Sequence, residues 1–425
     1  MRIVSIIIAI IMFTACASSR RTADEARAGV TDTDGNTPAT AISTDRETDK
    51  KMNSNDNRID NDTKQDGLFA FILLDHICRN DKNENICISP ASVKCALAMA
   101  ANGAQGQTLE QILSTIEVTR GLGYLNSSTI YTINNGDDET TLSIANSIWV
   151  NKNTPVKEKF IADNQKYHNA EVVNAPFDNS TLSAINDWCK EKTNGKITSI
   201  LDKLDNQTKM ILLNAIYLRG RWRNEFYKES THDAPFTKAD GTTTNVKMMS
   251  QTLTTAYNRD DKVSIISLPF NNSRVAMHFI LPHKGTSIDE AARHLAHNYD
   301  TLCEGMSYRQ RIALSLPRFK CEYNIGLKSA LKAMGMSDAF GHKANFEGIS
   351  DEPLYIDEIM QKTYLKIDEE GAEAAAVTTV LIGAMAMRPT SDPIELKFDR
   401  PFIYLIVDRG SDNILFVGKS DNPQE

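Results

Sequence analysis

The chain predicts an α+β domain with large, mostly antiparallel sheets, and three features of its 425 residues carry that prediction. Helix-length apolar segments come early. Strand-length apolar runs dominate the second half. The last two runs flank Asp408-Arg-Gly-Ser-Asp-Asn413, a turn signal that joins neighbouring antiparallel strands.

The first segment stands outside that domain. Arg2 and the apolar run Ile3 to Phe13 read as a secretion signal, too short to span a bilayer as a permanent helix. It ends in Phe13-Thr14-Ala15-Cys16, and small residues before a cysteine resemble the bacterial lipobox. There the cysteine thiol receives diacylglycerol and becomes the new N-terminus. Residues 1–16 are therefore expected to be a lipoprotein signal with lipid on Cys16. That implies a lipid-anchored protein of a bacterial cell envelope, at the outer membrane and on its surface or periplasmic face. The alternative is an ordinary cleaved signal and a freely secreted protein. Residues 17–66 contain no Leu, Phe, Trp, Tyr or Cys. Such a stretch buries too little apolar surface to offset its ordering entropy, so it reads as a disordered tether.

The folded domain is expected over residues 67–425. Leu68 to Cys78 reads as a mostly buried helix. Ser92 to Ala101 reads as another, with Ser89, Pro90 and Ser92 as its start signal. Strand-type segments follow at Leu142–Val150, Met210–Leu218, Val263–Pro269, Val275–Pro282, Ile312–Leu316, Tyr364–Asp368, Ile394–Phe398, Phe402–Val407 and Ile414–Val417. No internal repeat is visible.

Composition narrows the function. A net charge of -8, from 47 basic and 55 acidic residues, gives no sign of nucleic-acid binding. The seven cysteines are Cys16, Cys78, Cys87, Cys95, Cys189, Cys303 and Cys321. They form no CxxC pair and have no histidine at ligand spacing, so neither a metal nor a cofactor is expected. Cys87 and Cys95 sit in apolar runs and read as buried thiols.

Six collinear blocks then resemble the serpin family, from about Gly67 to Pro423. They are Asn85-Ile-Cys-Ile-Ser-Pro-Ala-Ser92, Ile185-Asn-Asp-Trp-Cys-Lys-Glu-Lys-Thr-Asn-Gly-Lys-Ile197, Leu213-Asn-Ala-Ile-Tyr-Leu-Arg-Gly-Arg-Trp222, Val246-Lys-Met-Met249, Asp368-Glu-Glu-Gly-Ala-Glu-Ala-Ala-Ala-Val377 and Asp399-Arg-Pro-Phe402. The resemblance implies three mostly antiparallel sheets, eight or nine helices and an exposed reactive-centre loop at about 369–393. It implies that Trp222 sits at the top of the main sheet, where the loop begins to insert. Ser89, Ser92 and Asn214 would form the polar cluster that controls sheet opening, with Gln361 in the place of the family's usual histidine. Arg318 would pair with the hinge glutamate, Glu369.

The hinge is Glu369, Glu370, Gly371, Ala372, Glu373, Ala374, Ala375, Ala376 and Val377. In serpins it enters the main sheet as a new strand after a protease cuts the loop. Side chains alternate across a strand. The inward set here is Ala372, Ala374, Ala376, Thr378, Val380 and Ile382, and none is charged. Glu373 begins the outward set. Taken without the resemblance, the same stretch reads as a solvated helix running into a strand. The family's spacing places the cut bond at Met385-Ala386, with Ala384-Met385 and Met387-Arg388 as neighbouring choices. Arg388 is the basic bait nearby, but Pro389 follows it. A Met bait suits elastase-, chymotrypsin- or subtilisin-like pockets.

The resemblance therefore implies a monomeric suicide-substrate inhibitor of serine proteases, and of some cysteine proteases. It implies no catalytic residue of its own; the charge balance gives no nucleic-acid partner, and the membrane attachment expected is through the lipid on Cys16. A non-inhibitory serpin acting as a binding module is the alternative. A hydrolase finds little support: Ser329-Ala-Leu-Lys332 fits SxxK but lacks its companion motifs.

Overall fold

The computed structural model describes residues 67–119, 121–123, 140–271, 274–372 and 392–424. Among the described residues, fifteen strands build two sheets. The six-stranded sheet runs in the order β10 (Phe319–Gly326), β11 (Glu358–Ile367), β12 (Gly371–Ala372), β4 (Met210–Arg221), β2 (Thr140–Asn151) and β3 (Glu171–Ala175). The nine-stranded sheet follows the path β1 (Asn85–Ile88), β15 (Asn413–Ser420), β14 (Phe402–Asp408), β8 (Val275–Pro282), β7 (Val263–Pro269), β6 (Thr243–Arg259), β9 (Ser307–Pro317) and β13 (Ile394–Lys397). β5 (His232–Thr237) also pairs with β6. Two of the three expected sheets are thus joined by continuous hydrogen bonding. The cause is β6, which pairs with β5 and β9 and then passes through a bulge near Thr255 to reach β7.

Among the described residues there are seven α-helices, namely α1 (67–80), α2 (Pro90–Ala101), α3 (Gly106–Thr115), α4 (Glu158–His168), α5 (Asn179–Lys192), α6 (Ile288–Glu304) and α7 (Lys328–Ala333). Two short 3-10 turns lie at Lys228–Ser230 and Asp338–Phe340. α2 begins as the sequence requires: Pro90 opens the first turn and the Ser89 hydroxyl accepts from Ser92 N at 3.2 Å.

β4 decides the layout. Its residues are buried almost end to end, so the strand has cover on both faces. Met210, Leu212, Ile216 and Leu218 belong to the main core. Ile211, Leu213 and Ala215 face a second cluster, closed by Trp188 and Cys189 of α5. Asn214 shares parity with the first set, so it points into the main-core side, where α2 lies.

Candidate functional site

The site is the seam between β4 and β11. From Glu358↔Ile211 to Tyr364↔Tyr217 the two strands pair directly and in parallel. Beyond that the seam forks. Gly371 and Ala372 occupy the fork, antiparallel to β4 at Arg221 and Gly220, and Ala372 also opposes Ile367 of β11. Ala372 is fully buried.

A clamp holds this entry. Trp222 stacks on Phe270 at 4.8 Å with the rings 3° apart. Its indole Nε1 donates to Asp368 O and its backbone N to Glu370 O, each at 2.9 Å. Phe226 N donates to Glu369 O at 2.9 Å. The Glu369 side chain is 2% exposed and accepts from Arg318 Nε at 2.7 Å and from the Thr231 hydroxyl. Burial raises this carboxyl's pKa, but the bonds from Arg318 and Thr231 outweigh it and hold the group below its ordinary value. Lys228 pairs with Glu370 at 2.5 Å. Gly371 is required as glycine: its φ is +142°, and a Cβ would lie 2.0 Å from Gly220 O.

Lower in the seam a row of amides crosses three strands. Asn146 of β2 opposes Asn214, and Asn214 opposes Gln361 of β11. Asn214 Nδ2 donates to Asn146 Oδ1 at 2.5 Å and to the Ser92 hydroxyl. Gln361 Nε2 donates to Asn214 Oδ1 at 3.0 Å and to Ser89 O at 3.1 Å, and Gln361 Oε1 accepts from Ser89 N at 2.9 Å. Every polar atom of the Gln361 side chain has a partner, as its depth demands.

The family model for serpins (serine protease inhibitors) matches residues 64–423. The chain belongs to the serpin family. It is 34% identical over 374 residues to an uncharacterized serpin-like protein of Methanosarcina acetivorans, covering 84% of this chain and 86% of the relative. It is 33% identical over 374 residues to a leukocyte elastase inhibitor of Equus caballus, covering 84% and 97%. The crystal structure of tengpin, a thermophilic serpin in the native state, matches with a TM-score of 0.79 at 31% identity, over 91% of this chain and 97% of that one.

The polar residues singled out from the sequence come together in two places. Ser89, Ser92, Asn214 and Gln361 form one network, and Arg318 reaches Glu369. Trp222 stands over the fork. One expectation needs correction: the loop is not exposed from its first residue. Glu369, Gly371 and Ala372 are buried, because Ala372 already fills the gap between diverging strands. Glu373, Ala374, Ala375, Ala376 and Val377 of the hinge lie outside the described residues, as do Ala384, Met385, Ala386, Met387, Arg388 and Cys16.

Sequence reading missed Asn146, Thr231 and Lys228. Asn146 was findable in principle, as a polar residue inside an apolar strand. Thr231 and Lys228 are 138 and 142 positions from their partners and sit in a turn without a pattern.

Proposed function

We propose that this serpin is an irreversible suicide-substrate inhibitor of serine proteases with elastase-, chymotrypsin- or subtilisin-like pockets. The protease serine attacks the Met385 carbonyl, the bond to Ala386 breaks, and the new amine leaves. Met385 remains as an acyl ester on the protease. The hinge side of the loop then enters the β4–β11 seam and drags the acyl-enzyme with it. Distortion of the protease's catalytic groups outpaces deacylation. The inhibitor contributes the acyl group and the new strand, and no catalytic residue.

The observation that carries this reading is Ala372 seated between Gly220 and Ile367. Ala372 would be the first residue of the strand to be added. Extending both registers in antiparallel steps brings Thr378 opposite Asn214 on one side and opposite Gln361 on the other. The present pairing of Gln361 with Asn214 is therefore compatible with insertion without sliding either strand. Ala374, Ala376, Val380 and Ile382 would face the main core beside Leu218, Ile216, Leu212 and Met210. Thr378 would bring a hydroxyl to the amide row.

Lipid on Cys16 and the segment 17–66 would present the domain as a monomer at a bacterial envelope. Mixing the purified chain with a protease panel tests the whole reading. A complex that survives boiling in SDS is expected, with cleavage at Met385-Ala386. Cleaved loop with fully active protease in every mixture would overturn the inhibitor reading.

A further inference from the structure

A second cluster lies at the turn between β6 and β7, where it meets α6. Among the described residues, Asp260, Asp261 and His294 bring three ligand atoms within 4.8 Å of one another. Asp260 Oδ2 is 2.6 Å from His294 Nε2. The other Asp260 oxygen accepts from Lys262 N at 2.8 Å and Val263 N at 2.9 Å. The backbone therefore fixes the carboxylate and aims its second oxygen at the imidazole. Asp261 is exposed. Lys262 of the same turn pairs with Glu290 of α6 at 3.3 Å.

We propose that these residues bind a divalent transition-metal ion, zinc foremost, and so clip the β6–β7 turn to α6. One imidazole with two carboxylates suits zinc and its first-row neighbours, whereas Ca²⁺ and Mg²⁺ prefer oxygen alone. Metal bonds of about 2.0–2.2 Å separate adjacent donors by roughly 3–3.5 Å, so the Asp260–His294 contact need open by less than about 1 Å. Water completes the coordination on the exposed side. Binding at Nε2 places the ring proton on Nδ1. The Asn298 amide nitrogen lies 3.3 Å from Nδ1 and donates to His294 O at 2.8 Å, so accepting a hydrogen bond from Nδ1–H requires the amide to turn its oxygen inward and give up that bond. Cysteine and histidine spacing gave no hint of this site, because its donors come from a turn and a helix 33 to 34 positions apart.

Calorimetry and thermal melting of the purified full chain with Zn²⁺ alone test it. One Zn²⁺ per chain is expected, with a raised melting temperature that Mg²⁺ does not reproduce. His294→Ala and Asp260→Asn should each weaken binding at least about tenfold, the scale of lost ligand support. Asp261→Asn alters an exposed side chain, so its metal-free melting temperature should stay at the wild-type value while its Zn²⁺ affinity drops. His297→Ala, one turn along α6, should bind as wild type does. Absence of Zn²⁺ binding by the wild type would overturn the proposal, as would undiminished binding in Asp261→Asn and His294→Ala or equal stabilisation by Mg²⁺.

Discussion

β4 makes two interfaces, and they differ in nearly every respect. Against β2 it runs antiparallel through eleven matched pairs, from Thr140↔Gly220 to Val150↔Met210. Against β11 it runs parallel through seven, and then the strands part around Ala372. Parallel pairing is the slightly weaker kind per residue. One edge of β4 is a long continuous ladder and the other is a short joint, pinned by amides in the middle and wedged at one end. The difference teaches where the sheet can accept another strand. Opening the β2 edge would break the longer ladder. Opening the β11 edge breaks seven pairs and offers two new ladders in return.

Breaking the proposed replacement strand should have the largest effect. Ala374 has the parity of Ala372, which is already buried. Ala374→Arg would force an unpaired cation into the core during insertion, at a cost of several kcal/mol. We expect the variant to be cut at the wild-type bond yet to release active protease, with complete loss of the SDS-stable complex. Glu373→Arg, on the outward set, should retain substantial inhibition. Equal inhibition by both variants would mean that the β11 edge does not take up the loop as argued.

The wedge can be tested next. Arg318→Met leaves the Glu369 carboxyl buried with the Thr231 hydroxyl but without its guanidinium. Breaking a buried pair in this way costs about 3 kcal/mol, measured as a shift in urea unfolding near neutral pH. The sign with pH follows from the depressed pKa of Glu369. A carboxyl depressed on folding adds stability that is full above its ordinary value of 4.5 and is lost as pH falls through its folded value. In the variant burial dominates and the carboxyl opposes folding at neutrality. The gap between the two proteins should therefore close in acid. A gap that stays constant down to about pH 4 would show that Glu369 is not held by Arg318 in solution.

Much of this was legible in the residues, and the exceptions have physical causes. β7, β8 and β14 were read correctly because their buried runs are apolar and of strand length. β6 went unread because it changes partners along its length, so its Thr-, Ser- and Asn-rich sequence keeps no single period. α6 went unread because its buried face is built largely of Ala, Leu and Tyr among charged residues, in a half where strands prevail. Glu369 and Arg318 came from family resemblance and are now explained by geometry. The depth of Ala372 was not legible, since nothing local to Gly371-Ala372 reports that β4 and β11 diverge there.

The smallest effect sharpens the amide row itself. Gln361 meets three partners without carrying a charge, so this part of the joint has no titration of its own. Gln361→His would give it one. Neutral imidazole can accept from Ser89 N and donate to Asn214, but the protonated ring cannot accept. Burial also opposes the charge: it has already lowered His168 to about 4 and His278 to about 3. A histidine at position 361, in a site 1% exposed, should be depressed likewise. Its neutral form then supports folding above the ordinary value of about 6.5, and that support falls by up to roughly 1.4 kcal/mol per pH unit below it. His168 and His278 give the wild type an acid slope of their own, so the readout is the extra slope of the variant. Between about pH 8 and 5.5 we expect Gln361→His to lose roughly 1 kcal/mol more than wild type, and to insert its cleaved loop faster in acid. Identical slopes would show that the row tolerates a charge, and that the β11 joint is held by its backbone pairs alone.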